Sequence, residues 1–490
     1  MRDAYLCMIM RMLLARPAAF RVLLAVTLAA LLAATPASAA TGPRIIRQLV
    51  AGPGGVDTST FGVVGVLGSR VLFRADAANG IGAELWKTDG TPAGTKLVKD
   101  INTGIHGSSV AFVMVVRGST GFVEATTDSL GTELWKTDGT PGGTRIVKDI
   151  AHIGSESSLA YPYALMGGNV YFSASDGSLP GEHGSELWRT NGTARGTRMV
   201  KNIAPGAADA GINNVASIGS KVLFGANDGV HGLELFVSDG TRGGTHQVKE
   251  INEEGDIIPY PGGGFTPVVI GGIYYFKAND GEGGGPGDHG AELWRSDGTP
   301  AGTRMVKDIN PGVTSTNFSW VHRVGHRLFL AVTDGKGNEL WVSDGTAGGT
   351  HRVKDIWPGS GSSNPYYLGS IGSTLYFAAK DGSDGHGVEL WKSDGTAAGT
   401  KMVRDINSGP GDSSPIWGTV IGHRIYINAV TNKGNELWRS NGTRKGTRLV
   451  MDIAPGEGSS DPSWLTTLDN RLIFFADDGV HGEELWTYIP

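Results

Sequence analysis

The sequence predicts an all-β protein folded as a β-propeller of nine four-stranded blades. A Glu-Leu-Trp triplet, once Glu-Leu-Phe, recurs nine times from Glu84 to Glu484, so that eight intervals over 400 residues average 50 residues. Four-stranded propeller blades repeat about every 40 to 50 residues. The 77 glycines and 22 prolines favour turns over helices, and 39% hydrophobic residues are too many for a disordered chain. An open β-solenoid is the alternative architecture.

Each repeat contains four short strand patterns in a fixed order. In the third repeat, the apolar runs Tyr163–Met166 and Val170–Ala174 are joined at Gly168 and Asn169, residues that suit a tight hairpin turn. The triplet forms the third strand, and a Ser/Thr-Asp-Gly-Thr turn follows it. The fourth strand, Lys96–Ile101 in the first repeat, alternates lysine with apolar residues, which is typical of an exposed outer strand.

The two ends of the chain are out of phase with this repeat. Arg44–Leu49 has the pattern of a fourth strand such as Arg448–Ile453, whereas the chain ends with Trp486–Tyr488, directly after a ninth third strand. The N-terminal strand therefore supplies what the ninth unit lacks. We predict that these two segments pair in one blade and close the ring.

Residues 1–39 have the pattern of a secretory signal peptide. Basic residues precede the apolar run Val22–Ala34, and the small residues Ala37–Ala39 follow it. We therefore predict a single propeller domain over 40–490, in a secreted, extracellular or periplasmic protein. Cys7, the one cysteine, lies within the leader, so a mature chain has neither a disulfide nor a thiolate ligand.

Charge and hydropathy exclude several classes of partner. The net charge of -6 and the pI near 6.1 lack the basic excess that nucleic acids or anionic membranes require. The apolar run of the leader, 13 residues long, is shorter than the ~20 that a membrane-spanning helix needs. We expect no nucleic acid partner and no membrane span. A monomer is favoured, and the sequence leaves the oligomeric state open.

The residues that recur in every unit favour structural roles. One tryptophan per blade suits the wedge between neighbouring sheets, and the aspartate of the Asp-Gly turn is expected to accept backbone N–H groups. The triplet glutamate often follows His-Gly-x, as in His231 and Glu234, which also suits a divalent ion or acid-base chemistry. Because four units lack the histidine, a repeated hairpin hydrogen bond is favoured over a metal. We predict no catalytic residue, no metal site and no cofactor, with calcium in the loops as the alternative.

The segment Glu389–Thr400 resembles the repeat of the bacterial ELWxxDGT family, and the resemblance extends from Arg44 to Tyr488. This resemblance implies an exported protein, and the family has no assigned activity. The sequence departs from the repeat at Phe236, Asn191 and Asn441. The turn is also similar to the Asp-box of sialidase-type propellers, where it is structural.

The insertions and the unrepeated aromatic residues indicate where a ligand binds. The loops before the first strand and before the third strand of each blade lie on one face, and all long insertions occur in these loops. Within them we single out Asp256, Tyr260, Asp288 and Glu182. At the start of the innermost strand, aromatic residues replace the Val, Asn or Thr of other blades, and we predict that they form a wall for stacking against sugars or apolar side chains: Tyr163, Trp320, Tyr367, Trp417 and Trp464.

These features predict an exported, non-catalytic binding or scaffold propeller whose partner is a glycan or another surface molecule. One alternative is a propeller hydrolase or lyase acting on polysaccharide. Another is a purely structural repeat protein of the envelope or matrix. An enzyme would show an asymmetric cluster of acidic and basic groups in the central channel, whereas a binding protein would show an aromatic or polar surface without perturbed carboxylates.

Overall fold

A computed structural model describes residues 42–490, except 51–53, 57–60, 78–79, 112, 152–155, 178–181, 254, 258–264, 282–286 and 383–384. The predicted signal peptide, 1–39, and the predicted site residue Tyr260 lie outside the described residues. The strands described below all belong to one compact unit, which extends from Pro43 to Pro490.

The described residues form 36 strands, and a unit of four consecutive strands recurs around the ring. The N-terminal strand and the first four blades have these bounds: β1 Arg44–Arg47; blade 1, β2 Gly62–Leu67, β3 Arg70–Ala75, β4 Glu84–Thr88 and β5 Lys96–Lys99; blade 2, β6 Val115–Arg117, β7 Thr120–Thr127, β8 Gly131–Thr137 and β9 Arg145–Ile146; blade 3, β10 Tyr161–Met166, β11 Asn169–Ala174, β12 Glu186–Thr190 and β13 Arg198–Lys201; blade 4, β14 Asn213–Ile218, β15 Lys221–Asn227, β16 Leu233–Ser238 and β17 His246–Lys249.

The remaining blades repeat the same unit: blade 5, β18 Val268–Ile270, β19 Ile273–Asn279, β20 Ala291–Ser296 and β21 Arg304–Lys307; blade 6, β22 Asn317–Val324, β23 Arg327–Asp334, β24 Gly337–Ser343 and β25 His351–Arg352; blade 7, β26 Tyr366–Ile371, β27 Thr374–Ala379, β28 Glu389–Ser393 and β29 Lys401–Arg404; blade 8, β30 Ile416–Ile421, β31 Arg424–Thr431, β32 Gly434–Ser440 and β33 Arg448–Met451; blade 9, β34 Ser463–Leu468, β35 Arg471–Asp477 and β36 Glu483–Tyr488. The helical content of the described residues is one 3-10 turn, Ala194–Gly196, so they include no helix long and apolar enough to cross a membrane.

The predicted fold class is confirmed, since the described strands form nine four-stranded antiparallel sheets arranged as a β-propeller. In blades 1 to 8 the hydrogen-bonded order follows the chain, so the first strand is innermost and the fourth outermost. First strands of neighbouring blades contact one another, as β26 and β30 do, and the contact between β2 and β34 joins the first blade to the ninth. The chain therefore forms a closed ring and not an open solenoid.

The predicted closure of the ring by the N-terminal strand is also confirmed. Strand β1 pairs antiparallel with β36, with Ile45 opposite Trp486, and completes the ninth sheet in the order β1-β36-β35-β34. Arg47 donates a hydrogen bond of 2.8 Å to the carbonyl of Thr95 in blade 1. The same strand thus completes blade 9 and ties it to the outer edge of blade 1.

The core of the ring consists of nine apolar clusters, one at each interface between neighbouring blades in the described residues. At the closing interface, the ring of Phe73 in blade 1 contacts both Trp86 of its own blade and Phe475 of blade 9. The triplet aromatic of every blade is buried in the cluster that faces the preceding blade. The predicted wedge role of the tryptophans is therefore confirmed.

The outer strands do more than cover an edge. Lys99 of β5 lies 5.7 Å from the ring of Trp135 in blade 2 and donates a hydrogen bond of 2.9 Å to the carbonyl of Thr144. Lys307 and Lys354 make the same pair of contacts with the blades that follow them. A cation stacked on an aromatic face is attracted by the ring quadrupole, so these lysines join each blade to the next.

Replacing Ile46 with alanine tests the closure. This side chain is buried in the cluster between blades 9 and 1, and removing such a side chain costs about 2 to 5 kcal/mol of the free energy of unfolding. We expect a loss of that size in urea or guanidinium denaturation. The control Arg44→Ala changes an exposed residue of the same strand and should cost less than about 0.5 kcal/mol. Equal stability of the two variants would contradict the closure.

Candidate functional site

The first and third strands of every blade begin on the same face of the ring, because neighbouring strands are antiparallel. We call this the insertion face. It carries the crossover loops that enter each blade and the loops between second and third strands, where the predicted residues Asp256, Asp288 and Glu182 lie. The five predicted aromatic residues lie in first strands, close to the ends that begin on this face. The opposite face carries the hairpin turns and the Asp-Gly turns.

The triplet glutamate is a buried structural clamp. Oε2 of Glu84 accepts a hydrogen bond of 2.9 Å from the N–H of Ile101, and Oε1 accepts one of 3.2 Å from Asn102, where the crossover to blade 2 begins. The glutamates of the other eight blades accept the corresponding N–H, which in blade 9 belongs to Leu49. The glutamate makes a hydrogen bond that repeats in every blade, but the predicted location was wrong, because the donors lie in the crossover and not in a hairpin.

The histidines of the His-Gly-x segments pair with aspartate, not with the triplet glutamate. Nδ1 of His231 lies 2.9 Å from Oδ2 of Asp228, and this hydrogen bond raises the pKa of the imidazole. Equivalent pairs occur in four other blades. Within the described ranges, no group of three or more His, Cys, Asp or Glu side chains is arranged to hold a metal ion.

The Asp-Gly turns show the predicted turn chemistry. Oδ1 of Asp89 accepts hydrogen bonds from the N–H of Thr91 at 2.9 Å and from its hydroxyl at 2.6 Å, which lower the pKa of the carboxyl. Asn191 accepts the same two bonds from Thr193 at 3.1 and 2.8 Å. Because a neutral amide performs this role, the turn needs an oxygen acceptor and no negative charge.

The five predicted aromatic residues do not form one continuous wall. Their ring contacts divide them into three clusters: Tyr163 with Tyr161, Trp320 with Tyr367, and Trp417 with Trp464. Part of the reason is backbone geometry. Trp417 and Trp464 have φ of +54° and +53°, in a region that non-glycine residues rarely adopt. Both lie where the pairing of the first two strands is irregular.

The clusters differ in how open they are. Trp320 is only 8% exposed, packs in the core between blades 6 and 7, and donates from Nε1 to the carbonyl of Pro365 at 2.5 Å. The hydroxyl of Tyr163 donates to the carbonyl of Ile212 at 3.0 Å. Trp417 is 38% exposed, so its ring offers more open surface than that of Trp320.

The predicted residues of the inserted loops have different environments. Oδ1 of Asp256 accepts a hydrogen bond of 2.6 Å from the N–H of Leu233. Aspartates at the corresponding positions of blades 3 and 7 make the same bond, so this contact is structural. Asp288 and Glu182 are half-buried in the loops that precede the third strands of blades 5 and 3.

The sequence analysis missed Glu483, a carboxyl that occurs in blade 9 and has no counterpart in the other blades. Glu483 is the residue before the triplet of blade 9, a position that holds no acidic residue in the other blades. It is half-buried, and Ser463 donates a hydrogen bond of 3.3 Å to its Oε1. Desolvation, followed by the negative charges of Asp461 and Asp477, raises the pKa of Glu483 to about 7. The signal in the sequence is the doubled Glu483-Glu484, which occurs in no other triplet.

Carboxylates lie close to Glu483, and an aromatic pair begins at the residue after its partner Ser463. Asp461 is exposed, and its Oδ1 accepts a hydrogen bond of 2.9 Å from Nδ2 of Asn435. Trp464 directly follows the serine that binds Glu483, and its ring centroid lies 5.2 Å from that of Trp417. We call Asp461, Ser463, Glu483 and these two tryptophans the blade 9 site. It lies on the insertion face, at the start of the first and third strands.

No family model matches the chain, and no curated protein matches it. Among solved structures, prolyl endopeptidases are 14% identical with a TM-score of 0.41, over 78% of this chain and 54% of theirs. A puromycin hydrolase is 14% identical with a TM-score of 0.38, over 85% of this chain and 58% of its own. Prolyl oligopeptidase B from Galerina marginata is 14% identical with a TM-score of 0.38, over 64% and 46%. The chain therefore spans little more than half of the length of the prolyl endopeptidases and of the puromycin hydrolase.

The prediction of a non-catalytic binding or scaffold module was wrong by this comparison, because the similar solved structures belong to hydrolases. Similarity at these scores carries no argument about the reaction or the substrate of this chain. The physical reason for the correction lies in the chain itself. The sequence analysis predicted no catalytic residue, whereas Glu483 is an unrepeated carboxyl with a raised pKa.

The buried clamps predict how stability depends on pH. Burial raises the pKa of four of them from 4.5 to about 7: Glu84, Glu186, Glu234 and Glu292. A raised pKa in the folded state means that the folded protein binds protons more tightly than the unfolded chain does. The resulting contribution to folding stability is complete below the pKa of the unfolded chain and is lost as the pH rises through about 7. We expect the melting temperature to fall between pH 5 and pH 8. The variant Glu234→Gln should show a shallower decline, and a melting temperature that rises over this interval would contradict the assignment.

Calcium removal tests the interpretation of the turns. Since Asn191 and Asp89 make the same contacts, we expect identical thermal melts in EDTA and in millimolar calcium chloride. A rise of the melting temperature in calcium would show that the carboxylates hold the ion. The variant Asp89→Asn would then lose part of that rise.

Proposed function

We propose that this protein is a hydrolase that cleaves glycosidic bonds at the blade 9 site. The observation that carries the proposal is Glu483, an unrepeated and half-buried carboxyl with a pKa near 7. It lies close to other carboxylates and is hydrogen-bonded to Ser463, the residue before Trp464 of the tryptophan pair. Pairs of carboxyl groups with different environments are the usual machinery of glycoside hydrolysis.

Glu483 is the general acid in this proposal. With a pKa near 7, its carboxyl is largely protonated in mildly acidic solution. It donates this proton to the glycosidic oxygen while the bond from that oxygen to the anomeric carbon breaks. The hydroxyl of Ser463 orients the carboxyl through its hydrogen bond to Oε1.

Asp461 is the general base. Its side chain is exposed, and the amide of Asn435 holds one of its oxygens. Its carboxylate takes a proton from a water molecule whose oxygen forms the new bond to the anomeric carbon. The balance is one water consumed and one sugar hydroxyl formed on each side of the cleaved bond.

The tryptophan pair supplies the substrate platform. Apolar faces of sugar rings stack on aromatic side chains, and the exposed ring of Trp417 continues the surface of Trp464. Glu483 and Trp464 lie at the start of strands of blade 9, and Trp417 lies at the start of the first strand of blade 8. A sugar stacked on Trp464 therefore lies on the insertion face of the propeller, the face on which Glu483 donates its proton.

We also infer that the enzyme is metal-free, acts outside the cytoplasm and belongs to the ELWxxDGT repeat family. The leader pattern of residues 1–39 and the twelve-residue repeat Glu389–Thr400 support the last two points.

The test is release of reducing ends from a panel of neutral, acidic and amino polysaccharides by the full chain. We expect Glu483→Gln to lower kcat at least 100-fold, since a general acid contributes about 10² to 10⁴. Activity of the unchanged protein should fall as the pH rises through 7, because Glu483 then loses its proton.

Glu457→Gln is the matched control. This residue is an exposed glutamate in the crossover that enters blade 9, and its variant should retain full activity. Full activity of a folded Glu483→Gln protein, or no cleavage of any polysaccharide by the unchanged protein, would overturn the proposal.

A further inference from the structure

A second cleft lies on the insertion face between blades 6 and 7. It has a volume of about 450 Å³, within the range of about 300 to 1,000 Å³ that is usual for small-molecule sites. Its lining includes Ser319, His322, Asn338, Asn364, Tyr366 and Tyr367. We call it the blade 6/7 cleft.

The cleft is built from the same positions as the blade 9 site. Asn364 and Tyr367 precede Asp461 and Trp464 by 97 residues, and Asn338 precedes Asn435 by the same interval. The amide of Asn338 donates to Oδ1 of Asn364 at 3.4 Å, as that of Asn435 donates to Asp461. An amide thus stands where the proposed catalytic site has its base.

The lining of the cleft is polar and uncharged. None of its residues is Asp, Glu, Lys or Arg. Nδ2 of Asn338 donates to Oγ of Ser319 at 2.9 Å, and its Oδ1 is buried without a hydrogen-bond partner among the described residues. Burial lowers the pKa of His322, so its imidazole is neutral at neutral pH. The cleft therefore offers no charge to bind an ion, but it has amide and hydroxyl groups that pair with neutral hydroxyls.

Aromatic rings complete the cleft. The rings of His322 and Tyr367 are stacked with centroids 3.7 Å apart and an interplanar angle of 19°. Trp320 packs against both, which fixes this stack from the core side. Tyr366 is 52% exposed. A rigid aromatic floor with an exposed ring at its edge suits the apolar face of a pyranose.

We infer that the blade 6/7 cleft binds a neutral sugar unit and does not cleave it. The residue that corresponds to Glu483 in blade 6 is Asn338 and in blade 7 is Val388, so the cleft lacks a proton donor of that kind. This inference shares only the substrate class with the proposed function. It adds a second site, on neighbouring blades of the same face, that holds a glycan chain apart from the site of cleavage.

The test measures binding of neutral hexasaccharides of glucose and of N-acetylglucosamine by isothermal titration calorimetry. The host is full-length Glu483→Gln with Trp417→Ala, which removes the proposed acid and the exposed platform of the blade 9 site. We expect one hexasaccharide to bind this host. Adding Tyr366→Ala should weaken its binding about tenfold or more, since the stacked ring is lost.

Ile416→Ala is the matched control. Ile416 holds the position of Tyr366 one blade later and is 38% exposed, so its loss should leave affinity unchanged. Absence of binding to the host, or equal affinity with and without Tyr366, would overturn the inference. Failure of the proposed function has a different signature, because it appears as unchanged cleavage in Glu483→Gln while binding to the host persists.

Discussion

The buried glutamate of each triplet is the contact on which the ring depends. A carboxyl group removed from water is costly unless its oxygens are paired, and here the partners are backbone N–H groups at the start of the crossover. In blade 7, Ser413 of the next entry loop adds its hydroxyl to Glu389. One side chain thus connects the third strand, the crossover and the entry to the following blade. Repetition of this contact fixes where each blade begins, so it also fixes the insertion face.

Most of the fold could be predicted from the sequence because its signals are repeated. The nine triplets define the period, and the fourth-strand pattern at Arg44 reveals the closure. Two strand ends were wrong, since β10 begins at Tyr161 and β5 ends at Lys99, each two residues from the predicted position. The hairpin turn of blade 3 was wrong by one residue: it consists of Gly167 and Gly168, and Asn169 already begins β11. Strand ends depend on local hydrogen bonds that periodicity does not report.

The site was harder to predict, since repetition hides what differs. Glu483 stands beside the repeated Glu484 and has the same side chain, but alternation along the strand directs it to other partners. The positive φ of Trp417 and Trp464 could likewise not be predicted from the sequence. In blade 3 the predicted aromatic position is one residue off, because Pro162 and not Tyr163 pairs with the second strand as Tyr367 does in blade 7. The five predicted aromatic residues divide into separate clusters, which the identity of the residues alone does not predict.

Pairing of β1 with β36 has a consequence for biosynthesis. Ile45 and Trp486 are opposite each other in one sheet although 441 positions separate them in the chain. Contacts of such long sequence separation form late, because the entropy of closing the loop must be overcome first. Blades 1 to 8 have all of their strands before β36 is synthesised. The N-terminal strand has no partner strand until then, so the ninth sheet is the last of the nine that can form.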